Sequence, residues 1–316
     1  MFMKKSLVGL DIGTFKTRLV HMMLMRDRYE LIDYAALDTP TGAVENGVII
    51  QPGLLGEKMG ELTKELKLKG KMVISSVAGP QVYIRNIAMP KMKLNELRQA
   101  VYYQATTFLP IPVEEAVIDI FPMRNFDSDE GPKTELFFAA VRKQQVESLE
   151  ECCRIAGLNM KIVDIEPLAL NRVIANPNSF KTKAFLYIGA TRSGFSVFDE
   201  ESLLFYRPLA LGAMGIDFNQ NQANDYFKRE VLTEVTRSLE YYNMQFQAYP
   251  ETIILCGYGS KLDELKEVLS ENVTGLVQIG KLHNDITCPQ HIDEATFHLL
   301  QYEYQIAIGL AMRGGI

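Results

Sequence analysis

The sequence contains no tryptophan and only four cysteines in 316 residues. Cys152, Cys153, Cys256 and Cys288 fall in segments that read as helix, helix, strand and loop, without the paired spacing of a disulfide framework. A disulfide-stapled scaffold is therefore excluded, and the chain reads as cytosolic. Positive charge is also scarce: 33 Lys and Arg against 39 Asp and Glu leave a formal charge of -6. No basic run interleaved with aromatics appears, which removes the electrostatic footprint of a nucleic-acid binder. Long apolar runs are missing as well. The opening MFMKKSLVGLDIG has two lysines, but Asp11 interrupts its apolar stretch too early for a signal segment. No stretch approaches the ~20 apolar residues of a membrane span, so neither export nor crossing is expected. Cys288, His291 and His298 in TCPQHIDEATFH do not match a structural zinc spacing.

What is present suffices for a large core: 47% of residues are hydrophobic, enough for one two-lobed domain or two ordinary ones. Period-2 apolar stretches at 6–12, 17–24 and 29–37 predict a strand meander. A helix follows, with Leu54, Leu55, Met59, Leu62 and Leu66 on one face. KMVISSVAG supplies a further buried strand. The pattern then changes: VYIRNIAMP, a helix around Leu94, Leu97, Val101, Ala105 and Phe108, and two strands split by the loop DSDEGPK mark residues 80–141 as a small α+β unit. A helix at 143–156 stops at Gly157, and a strand ending in EP leads into a helix opening at Pro167. Strands at 183–189, 194–199 and 202–208 restart the scheme. A helical block at 213–247, the strand ETIILCGYG, a helix with Leu262, Leu265 and Leu269, a strand at 275–279 and a last helix complete the chain.

Superposing LDIGTFKTRLV on LYIGATRSGFSV aligns Ile12-Gly13 with Ile188-Gly189, each at the tip of its half's first hairpin. Two such lobes would place the turns on opposite sides of a cleft. In the first turn, glycine admits close approach of an anion, and backbone amides with the Thr14 and Thr17 hydroxyls are candidate phosphate donors. Asp11 beside a polyphosphate would need an intervening cation, hence a water-mediated Mg²⁺, with Lys16 or Arg18 offsetting phosphate charge. An ordinary hairpin turn explains the same residues. The Gly257-x-Gly259 turn opens a candidate ring or phosphate site before a helix, or is a packing turn. Glu166, at a strand end, either orients water or stabilises a helix start through its dipole.

In their order, these motifs resemble those of the actin and sugar kinase superfamily: LDIGTFKT its first phosphate motif, LYIGATRSG its second, EPLA and AIGLAMRG its connecting helices, and ILCGYGS its adenosine motif. Within it, NIAMPKM, QATTFLPIPVEEAVIDI, VDIEPLALNRVI and VTRSLEYY resemble the PilM family of actin-like type IV pilus assembly proteins over nearly the whole chain. The resemblance implies an α/β actin-like ATPase fold: two RNase H-like lobes around a nucleotide cleft, with a small subdomain, 1C, of the kind found in FtsA. Residues 1–79, 142–180 and 295–316 would form subdomain 1A, 80–141 subdomain 1C, 181–212 with 248–294 subdomain 2A, and 213–247 subdomain 2B. FtsA ends in an amphipathic membrane helix, whereas here LAMRGGI follows directly on the second connecting helix, which favours PilM.

The same resemblance implies ATP and Mg²⁺ as cofactors. Nucleotide contacts would come from Asp11, Gly13, Thr14, Phe15, Lys16, Thr17, Gly189, Ala190, Thr191, Gly257, Tyr258, Gly259 and Ser260, with Glu234 and Arg237 reaching the nucleoside. Asp11 would hold Mg²⁺ through water, and Glu166 would orient water. The implied partner is the cytoplasmic N-terminal peptide of a PilN-like bitopic membrane protein, in a groove between 1A and 1C, with other pilus platform proteins and motor ATPases beyond it. Membrane association would then be peripheral, at the cytoplasmic face, and borrowed from the partner. Two positions depart from the superfamily pattern. Tyr187 stands where an aspartate is usual, and a phenol, losing its proton only near ~10, cannot replace that carboxylate. Tyr258 interrupts the adenosine glycines, where its ring would stack on adenine or obstruct it. A nucleotide-responsive scaffold with weak or absent hydrolysis is therefore expected. The competing readings are an active ATPase or phosphotransferase, and a pure adaptor with a vestigial cleft.

Overall fold

The computed structural model describes residues 5–26, 28–175, 180–214, 216, 221–257, 262–288 and 292–315. The first half opens with an antiparallel meander: β1 (Lys5–Ile12), β2 (Lys16–Met25) and β3 (Arg28–Asp38). A two-strand hairpin, β4 (Val44–Glu45) and β5 (Val48–Ile49), leads into α1 (Pro52–Glu65), which starts on proline where no amide partner is needed. β6 (Met72–Val77) lies parallel to β1. β7 (Val82–Pro90), α2 (Leu94–Ala105), β8 (Ala116–Ser128) and β9 (Gly131–Arg142) follow, then α3 (Lys143–Ile155), β10 (Asn159–Ile165) parallel to β6, and α4 (Glu166–Val173).

The second half repeats the plan with the meander β11 (Thr182–Ile188), β12 (Ser193–Asp199) and β13 (Ser202–Leu209). After α5 (Asn221–Phe246) come β14 (Thr252–Gly257), α6 (Leu262–Asn272) and β15 (Leu276–Ile279), both strands parallel to β11 through the sheet. β16 (Ile286–Thr287), α7 (Glu294–Glu303) and α8 (Gln305–Arg313) return to the first lobe. Among the described residues, the strand orders are β10-β6-β1-β2-β3-β16 and β13-β12-β11-β14-β15. Apart from β16, each sheet is an antiparallel meander extended by two parallel strands beside its first strand. This duplicated arrangement is the actin-like ATPase fold.

Alternation along the strands decides what faces the cleft. Ala184, Leu186 and Ile188 of β11 pack under α5 and α6, whereas Phe185 joins the first lobe's core and Tyr187 packs against that core. On α5, Phe227, Val231, Val235, Leu239 and Tyr242 form a buried stripe at helical spacing. The first lobe's core runs from β1 and β6 through α1 and α3 on one side to α4 and α8 on the other. Helices α4 and α8 touch at Gly309, where a Cβ would overlap the Ala169 carbonyl; Arg172 ties the crossing by donating to Gly309 O at 2.6 Å and pairing with Asp164 at 2.9 Å. The short polypeptide between β6 and α3 carries its own sheet, β7-β9-β8, with Leu97, Val101 and Ala105 of α2 against Leu136 and Phe138.

Several local expectations shift. The loop expected from DSDEGPK is a tight turn at Asp129 and Glu130, closed by Ser128 Oγ donating to Gly131 O, because β8 and β9 stay paired to their ends. Leu54 and Leu94, expected on buried faces, are 39% and 44% exposed. Residues 213 and 214, expected helical, form a bend and a turn instead, with their amides donating to Gly189 O and Ala190 O. The last helix is two helices that meet at Tyr304. His291, Tyr258, Gly259 and Ser260 lie outside the described residues.

Candidate functional site

Two hairpin turns face one another between the lobes. Turn 13–16 joins β1 to β2 and turn 189–192 joins β11 to β12, in one register: Ile12 lies opposite Thr17, and Ile188 opposite Ser193. In each, the first glycine is pressed onto the carbonyl three residues on. A Cβ on Gly13 would stand 2.8 Å from Lys16 O, and one on Gly189 would overlap Arg192 O, so a larger residue would push the turn open. At the start of each second strand a hydroxyl is tied to a later segment of its lobe, Thr17 to Thr39 and Ser193 to Leu211. Thr39 Oγ1 donates to Gly13 O at 2.8 Å, which leaves Thr17 as the donor in its 3.0 Å bond to Thr39 Oγ1. Ser193 Oγ donates to Leu211 O at 2.9 Å.

The turns and the carboxyl ends of β6, β10 and β14 enclose a cleft of about 250 Å³. Ligand sites in open α/β sheets form beyond such carboxyl ends, where loops diverge and backbone groups are free. Asp11, Gly13, Thr14, Phe15, Lys16, Glu166, Gly189, Ala190, Thr191 and Gly257 are brought together here. Three predicted contacts are not. Thr17 is 1% exposed with its proton given to Thr39, so it has none to offer a phosphate. Glu234 and Arg237 on α5 do not line the cleft; Glu234 is held by Arg207 at 2.8 Å and Arg237 at 2.5 Å, in a surface ion-pair cluster.

The cleft also takes residues that the sequence reading did not name as contacts: Gly47 from the β4-β5 hairpin, Ala78 and Gly79 after β6, Arg192 at the end of the second turn, Tyr206 and Tyr302. Gln305, just after the break at Tyr304, is fully buried and accepts from Gly257 N at 3.0 Å, which fixes the connecting helix to the end of β14. Spacing gives no signal for Gly47, Ala78, Gly79, Tyr206 and Tyr302, because they reach the cleft from segments far apart in the chain; Arg192 lies within the aligned second turn.

Charge is unevenly distributed in the cleft. Burial raises the Asp11 pKa, and the neighbouring Arg18 only partly opposes this. Glu166, half-buried at the start of α4, is pushed up to about 7 by burial and by the Asp11 charge, with Arg192 pulling the other way. Two carboxyls that disfavour each other's ionisation share one end of the cleft. Tyr187 is held above its ordinary pKa by burial and then by Asp11 and Glu166, so its phenol keeps its proton. The arrangement offers turn amides and the cations Lys16, Arg18 and Arg192 to an anion, and two hard oxygen groups to a cation.

A second cavity, of about 450 Å³, opens where the edge strand β10 and α4 of the first lobe meet β8 and β9 of the small sheet, with Ser202 and Leu203 of the second lobe at its border. Its wall combines the apolar side chains of Phe121, Phe137, Ile162 and Leu168 with Asp119, Arg172 and Arg313. Nearby, Asn86 donates to Leu203 O at 3.2 Å and links the small sheet to the second lobe. No helix among the described residues is long and apolar enough to cross a membrane.

Known structures share this architecture. A solved PilM-PilN type IV pilus biogenesis complex contains a chain similar to this one, at a TM-score of 0.85 and 25% identity over 98% of each chain. The ethanolamine utilization protein EutJ from Carboxydothermus hydrogenoformans is similar in fold, at a TM-score of 0.55 and 11% identity over 98% of this chain and 90% of that one. The model of the type IV pilus assembly protein PilM family matches residues 9–226 and 215–315. With matched hairpin turns across one cleft and a family match over nearly its whole length, this chain belongs to the type IV pilus assembly protein PilM family.

Proposed function

We propose that this chain is an ATP-binding scaffold of the type IV pilus inner-membrane platform, with slow or absent hydrolysis. The observation that carries the nucleotide reading is the pair of matched turns facing one cleft, whose one end gathers Asp11 and Glu166. A lone packing turn needs neither a facing copy nor two carboxyls of raised pKa. The donor set fits Mg²⁺. Carboxylate oxygens suit a hard cation, and a dication would relieve the mutual repulsion of Asp11 and Glu166. Asp11 would hold the ion through water, the phosphates supplying other ligands, and the bound ion would neutralise polyphosphate charge. Gly13, Thr14, Lys16, Gly189, Ala190 and Thr191 would bind the phosphates, and Gly257 with the adjoining 258–260 segment the nucleoside. Tyr187 keeps its proton, so it cannot serve as the second carboxylate that would organise attacking water.

The partner reading rests on the similar chain solved as a PilM-PilN complex. A PilN-type N-terminal peptide would occupy the cavity between β10 and the small sheet, whose apolar wall with scattered charges suits a short amphipathic segment. Such a partner would hold the chain at the cytoplasmic face of the inner membrane. The boundaries 1–79, 142–180 and 295–316 for 1A, 80–141 for 1C, 181–212 with 248–294 for 2A and 213–247 for 2B are part of this reading.

Calorimetric titration with Mg²⁺-ATP tests the first half. Heat of binding and a raised melting temperature are expected, whereas neither would leave a pure adaptor with a vestigial cleft. Fluorescence anisotropy with a PilN N-terminal peptide tests the second. Binding should weaken in Phe121→Ala, which removes an exposed aromatic from the cavity wall.

A further inference from the structure

We infer that Arg192 reads the terminal phosphate of the bound nucleotide and makes the site selective for a triphosphate; this rests on the ATP reading above. Arg192 occupies the last position of the second turn, the counterpart of Lys16 in the first. The two cations are used differently. Lys16 stays with its own lobe, 3.7 Å from Asp38, with both side chains largely in solvent. Arg192 crosses the cleft. Its guanidinium lies in a corner of the first lobe made by two glycines with left-handed backbone: a Cβ at Gly47 would stand 2.5 Å from Arg192 Nη2, and one at Gly79 would stand 2.6 Å from Nη1. Left-handed backbone and the carbonyls of Ala78 beside Gly47 and Asn46 beside Gly79 already call for glycine at both positions, and the guanidinium occupies the space that their missing side chains leave.

The guanidinium is placed but not satisfied. Arg192 Nε is buried without a hydrogen-bond partner, and no ion pair ties the side chain among the described residues. Its interactions are the attraction of Glu166 and a nearby Tyr206. A planar donor of five N–H groups, fixed in orientation and lacking an acceptor, matches the oxygens of a phosphate better than it matches a water-filled space. It stands at the acid end of the cleft, beside Glu166, where the end of a polyphosphate laid across both turns would come to rest. One side chain would then join the second-lobe turn, the terminal phosphate and the first-lobe glycine corner. A diphosphate, shorter by one group, would not reach it.

The test compares fluorescent ATP and ADP analogues, each with Mg²⁺, titrated into the full chain and into Arg192→Ala and Arg192→Gln. Loss of one charge-assisted contact predicts ATP affinity lower by roughly 10- to 100-fold with ADP affinity changed by no more than about twofold. A wild-type chain that binds ATP and ADP equally, or variants that lose both to the same extent, or variants that keep the wild-type ATP affinity, would overturn the inference while leaving nucleotide binding intact. A wild-type chain that binds neither would remove the ATP reading and this inference together. If Arg192→Ala does not fold, as judged by circular dichroism, the polar, uncharged Arg192→Gln decides on the same ratio.

Discussion

Turns 13–16 and 189–192 have the same register, a glycine at the first position and, just after the turn, a second-strand hydroxyl tied to a later segment, yet their flanks differ. Asp11 and Arg18 stand opposite each other beside the first turn, Tyr187 and Gly194 beside the second. The void beside Gly194 is filled by the Tyr206 ring, 3.4 Å from where a Cβ would sit. The tight glycine turn is therefore present twice, while a carboxylate stands beside it only once. A phosphate grip needs only amides and close approach, but water activation needs ionised groups at set positions, and the second turn has a neutral phenol there. On the proposed reading, the comparison separates binding from cutting within one cleft.

Tyr187→Asp would break this asymmetry most strongly. A third carboxyl beside Asp11 and Glu166, with its pKa raised by burial, should cost about 3 kcal/mol or more of stability at pH 8 and less at pH 5 in urea denaturation. Mg²⁺-ATP should return part of that loss. Phosphate release compared between Tyr187→Asp and the wild-type chain then tests the catalytic role, and rapid turnover by the wild-type chain would count against it.

Next in size is the staple of the first turn. Thr39→Val strands the buried Thr17 hydroxyl and removes the donor to Gly13 O, for about 1–3 kcal/mol, while Ser193→Ala removes a single bond in the second turn, for about 0.5–1.5 kcal/mol. Equal midpoint shifts in the two variants would show that the turns are held alike.

Smaller again is the effect of pH through Glu166. Its folded pKa, about 7, lies above the ordinary 4.5, so the folded state binds the extra proton between those values. Stability from this group is therefore lost as pH rises from about 4.5 to 7, moderated by the solvent that reaches the half-buried side chain. Without nucleotide, Glu166→Gln should melt higher than the wild-type chain at pH 8 and approach it at pH 5. Least of all, Arg237→Ala should change stability by less than about 0.5 kcal/mol and leave nucleotide affinity unaltered, since its ion pair with Glu234 is exposed and away from the cleft.

The repeat of Ile12-Gly13 at Ile188-Gly189 was legible because a tight turn imposes a local demand that a short sequence must meet. The same holds for the strands around it and for Glu166 at a strand end before Pro167. The misplacement of Thr17 has a different cause: whether a hydroxyl faces a ligand depends on Thr39, distant in sequence, which already takes its proton. Glu234 and Arg237 looked available on a helix face, but Arg207 of β13 claims Glu234, and the face turns away from the cleft. Residues 80–141 stood out as a change of pattern, and they fold as a separate three-stranded sheet with its own core, because a core of that size can be written into contiguous sequence.

The sequence by itself determined the two strand meanders, the two glycine turns and the buried faces of α2 and α6, since each depends on neighbours within a few residues. Only the tertiary structure decided that Gly47 and Gly79 make a corner for Arg192, that Gln305 secures Gly257, that α4 and α8 meet at Gly309, and that Asp11 and Glu166 share one end of the cleft. Those pairings join residues far apart in the chain. Their geometry is set by how the sheets and helices pack, and no local pattern of residues records it.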